Sequence, residues 1–342
     1  MVSRRKFIQQ NVKIAAGVCL SPALTHCANA DKTVMTVNGA VAASDLGFTL
    51  VHEHVMVDFI GAKETGRHRY DADEVYKTAL PFLEDIKKRG CKTFVDCTPA
   101  YVGRDAQILQ RLSKATGLHI LTTTGYYGAR NEQYLPQHVF TDTRDQIAER
   151  WIDEWKNGID GTTIKPGFIK CGVDKGPLTA GQRKTIEAAA ITHLATGLTI
   201  GVHTGDGKAA AEQLEILNAK GVAPSARIWI HAQSEEDISH QLEQARQGSW
   251  LSFDAVYPTV IDRYVQLALL MKREKLLHLT LFSQDSGWYH VGEPNGGDYE
   301  GYSTIFEKFL PALKQNGFSQ EEIDLLFIKN PGNALGVRVR RL

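Results

Sequence analysis

Four histidines, a lysine and an aspartate could act together in this chain: His52, His54, Lys170, His203, His231 and Asp285. Each stands at or near the end of a short apolar, β-rich run: FTLVHEH, GFIKCG, TIGVHTG, IWIHAQ or LFSQDSG. Neutral imidazoles and carboxylates are good ligands for zinc and similar divalent metals. Side chains alternate along a strand, so His52 and His54 share one face and Glu53 takes the other. Singly, each residue has an ordinary alternative. The histidine pair can be two polar residues at a strand end, His203 and His231 can be hydrogen-bonded core histidines, and Asp285 can cap a following helix. Lys170 can reach solvent or pair with an acid. As a neutral amine it can instead take up carbon dioxide and become a carbamate, an anionic ligand able to bridge two metals. Jointly, the six residues point to a binuclear site.

Bringing these side chains together from across the chain requires parallel strands that end at one place. Eight strand-like runs can be counted: Phe48–His54, Lys92–Thr98, His119–Tyr127, Phe168–Val173, Leu198–Thr204, Arg227–Gln233, Ser249–Ala255 and Leu279–Asp285. Between them, helical periodicity marks Ala72–Arg89, Arg104–Thr116, Asp142–Asn157, Ala180–Thr196, Lys208–Lys220, Glu235–Gln247 and Val260–Lys275. Several of these segments stop at a glycine, such as Gly117 and Gly197, the residue that best tolerates a helix-ending left-handed turn. Strict strand–helix alternation predicts an α/β fold, a (β/α)8 TIM barrel with the metal site at the C-terminal ends of the strands. Asp31–Leu46 should form a small β-structure capping the barrel, and Tyr302–Asn316 and Gln320–Ile328 closing helices. The Gly/Pro-rich stretch Tyr289–Tyr302 reads as a long loop, at the end of a barrel where loops select substrates. No second domain or internal repeat is visible.

The chain has 342 residues, 43% of them hydrophobic, with 39 basic and 39 acidic side chains, enough for one such barrel. No long run of like charge suggests a nucleic-acid groove. Before Asp31 the only charged residues are Arg4, Arg5, Lys6 and Lys13. Ser3-Arg4-Arg5-Lys6-Phe7-Ile8 resembles the twin-arginine export motif, and a moderately apolar run and Ala28-Asn29-Ala30, a cleavage pattern, follow. Residues 1–30 are therefore expected to be an export signal and 31–342 the barrel, in a periplasmic protein. Lipidation at Cys27 is a second processing route, and a basic amphipathic helix of the folded protein is the plain alternative. The apolar run is too short to span a bilayer. Beyond that segment remain Cys91, Cys97 and Cys171. Cys91 and Cys97 flank one strand, about 20 Å apart at ~3.3 Å per residue, too far for a disulfide. All three are expected to be small buried apolar residues.

The chain resembles the phosphotriesterase family of the amidohydrolase superfamily from about Val34 to Leu335. The resemblance lies in TVNGAVAASDLGFTLVHEH, GFIKCG, VHT, IHAQ, SQDSG and the tail FLPALKQNGFSQEEIDLLFIKNPGNAL. It implies that His52, His54 and Asp285 hold one divalent metal and His203 and His231 a second, zinc being the default. It also implies that a carboxylated Lys170 and a hydroxide bridge the two. Such a pair of metals supplies hydroxide near neutral pH. Asp285, touching metal and hydroxide, would shuttle the proton to the leaving group, and His231 and Asp254 would pass it outward.

The expected substrate is a small-molecule carboxylic ester, a lactone foremost. In lactone-hydrolysing relatives a tyrosine follows the third strand, and Tyr127 holds that kind of position. Those relatives also carry an arginine just after the seventh-strand aspartate, where this chain has Asp254-Ala255-Val256-Tyr257. The departure weighs against their acyl-homoserine-lactone pocket. Tyr126, Tyr127, Tyr257 and Trp288 are expected to line an aromatic pocket, or in part simply to cover the barrel edge. Arg130 and Lys165 are the nearest candidates for a phosphate-binding residue. The competing readings are a phosphotriester or amide hydrolase on the same site, a metal-binding protein without turnover, and a barrel without metal. A homodimer is compatible with the resemblance.

Overall fold

The computed structural model describes residues 32–342. The expected export signal and its Cys27 lie outside the described residues. β1 (Thr33–Thr36) and β2 (Gly39–Ala42) form the expected small antiparallel hairpin. Then come β3 (Thr49–Val57), β4 (Thr93–Asp96), β5 (His119–Leu121), β6 (Thr123–Thr124), β7 (Phe168–Val173), β8 (Ile200–Thr204), β9 (Arg227–Ile230), β10 (Trp250–Phe253), β11 (Thr280–Phe282) and β12 (Gly287–His290). β3 to β5 pair in order, as do β6 to β11, all parallel. Only Thr122 separates β5 from β6, so these are two halves of one kinked third strand. At the other seam the Asp285 N–H donates to the His52 carbonyl at 3.0 Å. The result is the expected (β/α)8 barrel.

Most of the ring helices start where short polar side chains satisfy free N–H groups of the first turn. α1 (Ala72–Lys88) is capped by Asp71, and α2 (Ala106–Thr116) by Asp105. α3 (His138–Thr141) is short, while α4 (Arg144–Asn157) and α5 (Ala180–Thr196) carry reciprocal capping boxes, Thr143 with Gln146 and Thr179 with Gln182. α6 (Gly207–Ala219), α7 (Ile238–Arg246) and α8 (Ile261–Arg273) complete the ring. No helix among the described residues is long and apolar enough to cross a membrane.

Alternation along β7 shows how the core builds the site. Ile169, Cys171 and Val173 face outward and pack with Ile186 and Ala189 of α5. Phe168 faces inward, in a cluster shared with Leu121, Ile228, Ile230, Leu281 and Val34 of the hairpin. Apolar side chains from several strands therefore fill the barrel, and Lys170 stands two residues above that floor. Cys91, Cys97 and Cys171 are free and buried, as expected.

Two parts of the expectation change. The stretch read as a loop from Tyr289 begins inside β12, which runs parallel to β3 with Gly287 opposite His54. Gly287 has φ 110°, and a Cβ there would collide with the His54 carbonyl, so the backbone contact itself requires glycine. The closing helices contain wide π turns at Ile305–Phe309 and Leu325–Lys329, which seat the buried rings of Phe309 and Phe327.

Candidate metal centre

The six sequence candidates converge at the C-terminal mouth of the barrel. All six line one cleft of about 150 Å³, with Phe59, Cys97, Arg130, Tyr127 and Trp288 among its other walls. His54 Nε2 lies 3.1 Å from Asp285 Oδ1, and His52 Nε2 lies 3.5 Å from the same oxygen. Lys170 Nζ is 3.2 Å from His52 Nε2. The rings of His203 and His231 sit edge to face at 4.5 Å, and His231 Nε2 is 3.8 Å from Asp285 Oδ2. Two groups could hold a metal ion: His52, His54 and Asp285, and His52, His231 and Asp254. His203 lies outside both groups, beside His231.

Backbone geometry aims these side chains. His231 and Asp285, at the ends of their strands, have φ of 62° and 56°. Such left-handed conformations are costly for non-glycine residues and cluster at functional sites. Around Asp285 the compensation is visible. Glu53, on the outward face of β3 and fully buried, accepts hydrogen bonds from the Ser283 hydroxyl (2.8 Å), the Gln284 N–H (3.0 Å) and the Ser286 N–H (2.8 Å). The Asp285 carbonyl in turn accepts from the Trp288 indole at 2.6 Å. Glu53 thus clamps both flanks of Asp285.

Protonation states decide whether these atoms attract or repel one another. The Thr98 hydroxyl donates to the Met56 carbonyl at 3.0 Å, so its oxygen is left to accept from His54 Nδ1 at 2.7 Å. That assigns the tautomer and leaves a bare lone pair on His54 Nε2. Burial holds His54 below its usual pKa, so the ring is neutral. Its lone pair then meets a carboxylate oxygen, Asp285 Oδ1, which has no hydrogen-bond partner among the described residues. Burial likewise pushes His231 down to about 4 and His203 well below 6.5. Burial opposes ionisation of Asp254, but His52, His231 and the Ser252 hydroxyl overcome it and hold that carboxyl at about 2. Neutral imidazole lone pairs and carboxylate oxygens facing one another repel unless a cation lies between them. The donor set therefore fits divalent metal.

Asp254, a member of the second group, does not line the cleft. It accepts from the His231 N–H at 2.9 Å and the Ser252 hydroxyl at 2.7 Å, and its Oδ2 lies 3.2 Å from His52 Nδ1. Of the four aromatic residues, Tyr127 and Trp288 line the cleft. Tyr126 does not. It is the neighbour of Tyr127 and points the other way, against Trp151 and Tyr101 and within 3.1 Å of His138 Nε2, on a separate cavity. Tyr257 reaches the Asp285 carbonyl at 3.4 Å without lining the cleft. Arg130 lines it, whereas Lys165 precedes β7 at the opposite end of the barrel and lies over Trp155. Sequence reasoning missed Glu53 as a clamp, Thr98 as the tautomer partner of His54, and Phe59 as a wall. Thr98 was accessible from strand alternation, two residues after Asp96.

A model of the phosphotriesterase family matches residues 32–335. The "Phosphotriesterase homology protein" of Escherichia coli K12 is 31% identical over 291 residues, 83% of this chain and 96% of that protein. The "Aryldialkylphosphatase" of Saccharolobus solfataricus is 29% identical over 303 residues, covering 85% and 96%. The "N-acetyltaurine hydrolase" of Danio rerio is 25% identical over 340 residues, covering 87% and 96%. Barrel, converging ligands and full-length similarity agree: the chain belongs to the phosphotriesterase family of binuclear metal-dependent hydrolases.

Proposed function

We propose that the protein hydrolyses carboxylic esters, lactones foremost, with two divalent metals held by His52, His54, Lys170, His203, His231 and Asp285. The observation that carries this reading is the cluster of imidazole and carboxylate lone pairs around Asp285 Oδ1 at the bottom of an otherwise largely apolar cleft. Lys170 is buried, with only His52 Nε2 in hydrogen-bonding reach among the described residues. As a neutral amine it would add carbon dioxide with loss of a proton, giving a carbamate whose anionic oxygens would join the ligand set. When bound, the metals lower the pKa of a water and polarise the substrate carbonyl; zinc is the default.

The chain's own groups handle the proton and the leaving group. Asp285 lies between His54 and His231 and takes the proton of the attacking water. As the ring C–O bond of a lactone breaks, Asp285 returns that proton to the departing oxygen, and a hydroxy acid is formed. Asp254 Oδ2, 3.2 Å from His52 Nδ1 and 3.5 Å from His231 Nδ1, orients both rings, and His231 and Asp254 would pass the proton outward. Tyr127 stands 5.1 Å from the His203 ring, and burial pushes its phenol up, so it stays protonated and can donate to the substrate. Phe59 and Trp288 give the cleft apolar walls for the substrate to pack against.

A second reading, amide hydrolysis, draws on the relatives named N-acetyltaurine hydrolase, and phosphotriester hydrolysis on the one named aryldialkylphosphatase. Turnover of a panel of lactones, aryl esters, acetamides and a phosphotriester decides among them. The leading reading requires lactones to give the highest kcat/KM, and a higher value for an amide or the phosphotriester would replace it. Export by the twin-arginine route belongs to the same proposal. Cell fractionation should recover the wild type in the periplasm and an Arg4→Lys/Arg5→Lys variant in the cytoplasm.

A further inference from the structure

Arg130, Asn131 and Glu132 follow the third strand in a conformation that needs explaining. Their φ values are 56°, 57° and 62°, three consecutive non-glycine residues in the left-handed region. L side chains enter that region at a cost, normally one residue at a time. Here the turn is fastened from outside. Asp174, directly after β7, accepts from the Arg130 N–H at 2.7 Å and the Asn131 N–H at 3.1 Å. The Gln182 amide braces Asp174 at 2.9 Å and the Gly128 carbonyl at 2.9 Å, and the Thr179 hydroxyl donates to Glu132. The strained turn is thereby tied to the strand that carries Lys170.

This construction delivers one side chain to the cleft. Arg130 lines it, its guanidinium carbon 5.2 Å from the Phe59 ring centroid. Among the described residues no carboxylate pairs with this guanidinium and no acceptor takes its N–H groups. Arg130 is an exposed residue, so its N–H groups are open to solvent and to a ligand, whereas the more buried Arg104 and Arg69 pair with Glu154 and Asp58. A guanidinium resting on an aromatic ring keeps its planar fork of donors free, and that fork matches the two oxygens of a carboxylate or phosphate.

We infer that Arg130 is the oxyanion-recognition residue of this cleft, and that its substrate carries a carboxylate or phosphate at the end remote from the scissile bond. The term substrate rests on the hydrolytic reading above, but the binding claim does not need turnover. The test uses purified, metal-containing protein and calorimetry with three probes: butyrate, glutarate and 4-phosphonobutyrate. Butyrate has one carboxylate; the others add a second oxyanion of either kind. Wild type should bind at least one of the two longer probes about tenfold or more tightly than butyrate, a charge-assisted bidentate contact. The tighter of the two names the oxyanion. In Arg130→Met that ratio should fall to near one. Arg130→Lys keeps the charge without the fork and should retain only a minor part. Metal content and thermal unfolding of the variants, matched to wild type, guard against a folding defect. Equal affinity for all three probes, or a ratio that survives in Arg130→Met, overturns the inference. A protein that shows the Arg130-dependent ratio yet cleaves no ester or amide refutes the hydrolytic reading instead.

Discussion

Glu53→Gln is the most informative perturbation, because it touches no candidate ligand and leaves the side-chain shape intact. The carboxylate of Glu53 takes the Ser283 hydroxyl and Gln284 N–H on one oxygen and the Ser286 N–H on the other, at 2.8 Å. Glutamine can keep the first pair, but its amide then sets a donor against the Ser286 N–H. One buried N–H left unsatisfied costs about 1–3 kcal/mol. Burial pushes the Glu53 carboxyl up to about 8 while the same three donors favour its ionised form, so glutamine also removes the charge those donors hold. Urea unfolding should therefore show a loss of about 1–3 kcal/mol, a fraction of the roughly 5–15 kcal/mol of an ordinary domain. The larger effect should fall on Asp285. Its left-handed backbone is held from both flanks by this carboxylate, and a misplacement of about 1 Å at a reacting group can cost ~100-fold. Steady-state kinetics on the best ester should give a kcat lower by about 10- to 100-fold, with KM less affected. A variant that unfolds like wild type and turns over like wild type would refute the clamp. So would a variant whose stability falls while kcat and metal content stay unchanged.

Three further outcomes are expected. Asp285→Asn should lower kcat by about 10²- to 10⁴-fold while some metal remains bound, and a full rate with both metals present would remove its proton-transfer role. Thr98→Val removes the acceptor that fixes the His54 tautomer and should weaken metal binding about 10- to 100-fold in chelator competition, an unchanged affinity counting against the assigned tautomer. On acidification, the folded-state values of His231, at about 4, and His203, well below 6.5, both lie below the unfolded value. The unfolded chain therefore binds more protons in that window, and what these imidazoles contribute to stability is present above 6.5 and lost as pH falls towards about 4. Glu53 and Asp96, raised from 4.5 to about 8 and from 3.8 to about 7, act in the opposite sense across an overlapping window, so metal content is the cleaner readout. Dialysis should leave the metals in place at pH 6 and strip them only nearer pH 4, whereas loss centred on 6.5 would show ordinary exposed imidazoles.

The strand ends were legible in the sequence because alternation is a local rule. Phe168, Lys170 and Gly172 face one way and Ile169, Cys171 and Val173 the other, which a reader of GFIKCG can work out. The same rule, applied across Tyr126 and Tyr127, would have sent only Tyr127 to the cleft. What alternation cannot show is partnership over distance. Glu53 was readable as outward-facing, but its three donors lie some 230 residues away in the chain. β12 was hidden because Gly287 and the Gly/Pro-rich stretch beyond it have loop composition, while the strand is imposed by the edge of β3. The π turns at Ile305–Phe309 and Leu325–Lys329 answer to the packing of Phe309 and Phe327, which no periodicity reports. Arg130 was named without a reason, and the reason lies in a backbone turn held by Asp174 from the neighbouring strand.

The central claim is that two metals sit among these six side chains and drive ester hydrolysis. Its most direct test is elemental analysis of protein purified without added metal, with lactone turnover measured before chelation, after chelation and after zinc is restored. The account predicts about two divalent metals per chain, with turnover lost on chelation and recovered on reconstitution. Protein that carries no metal, or hydrolysis that chelation leaves untouched, would contradict it.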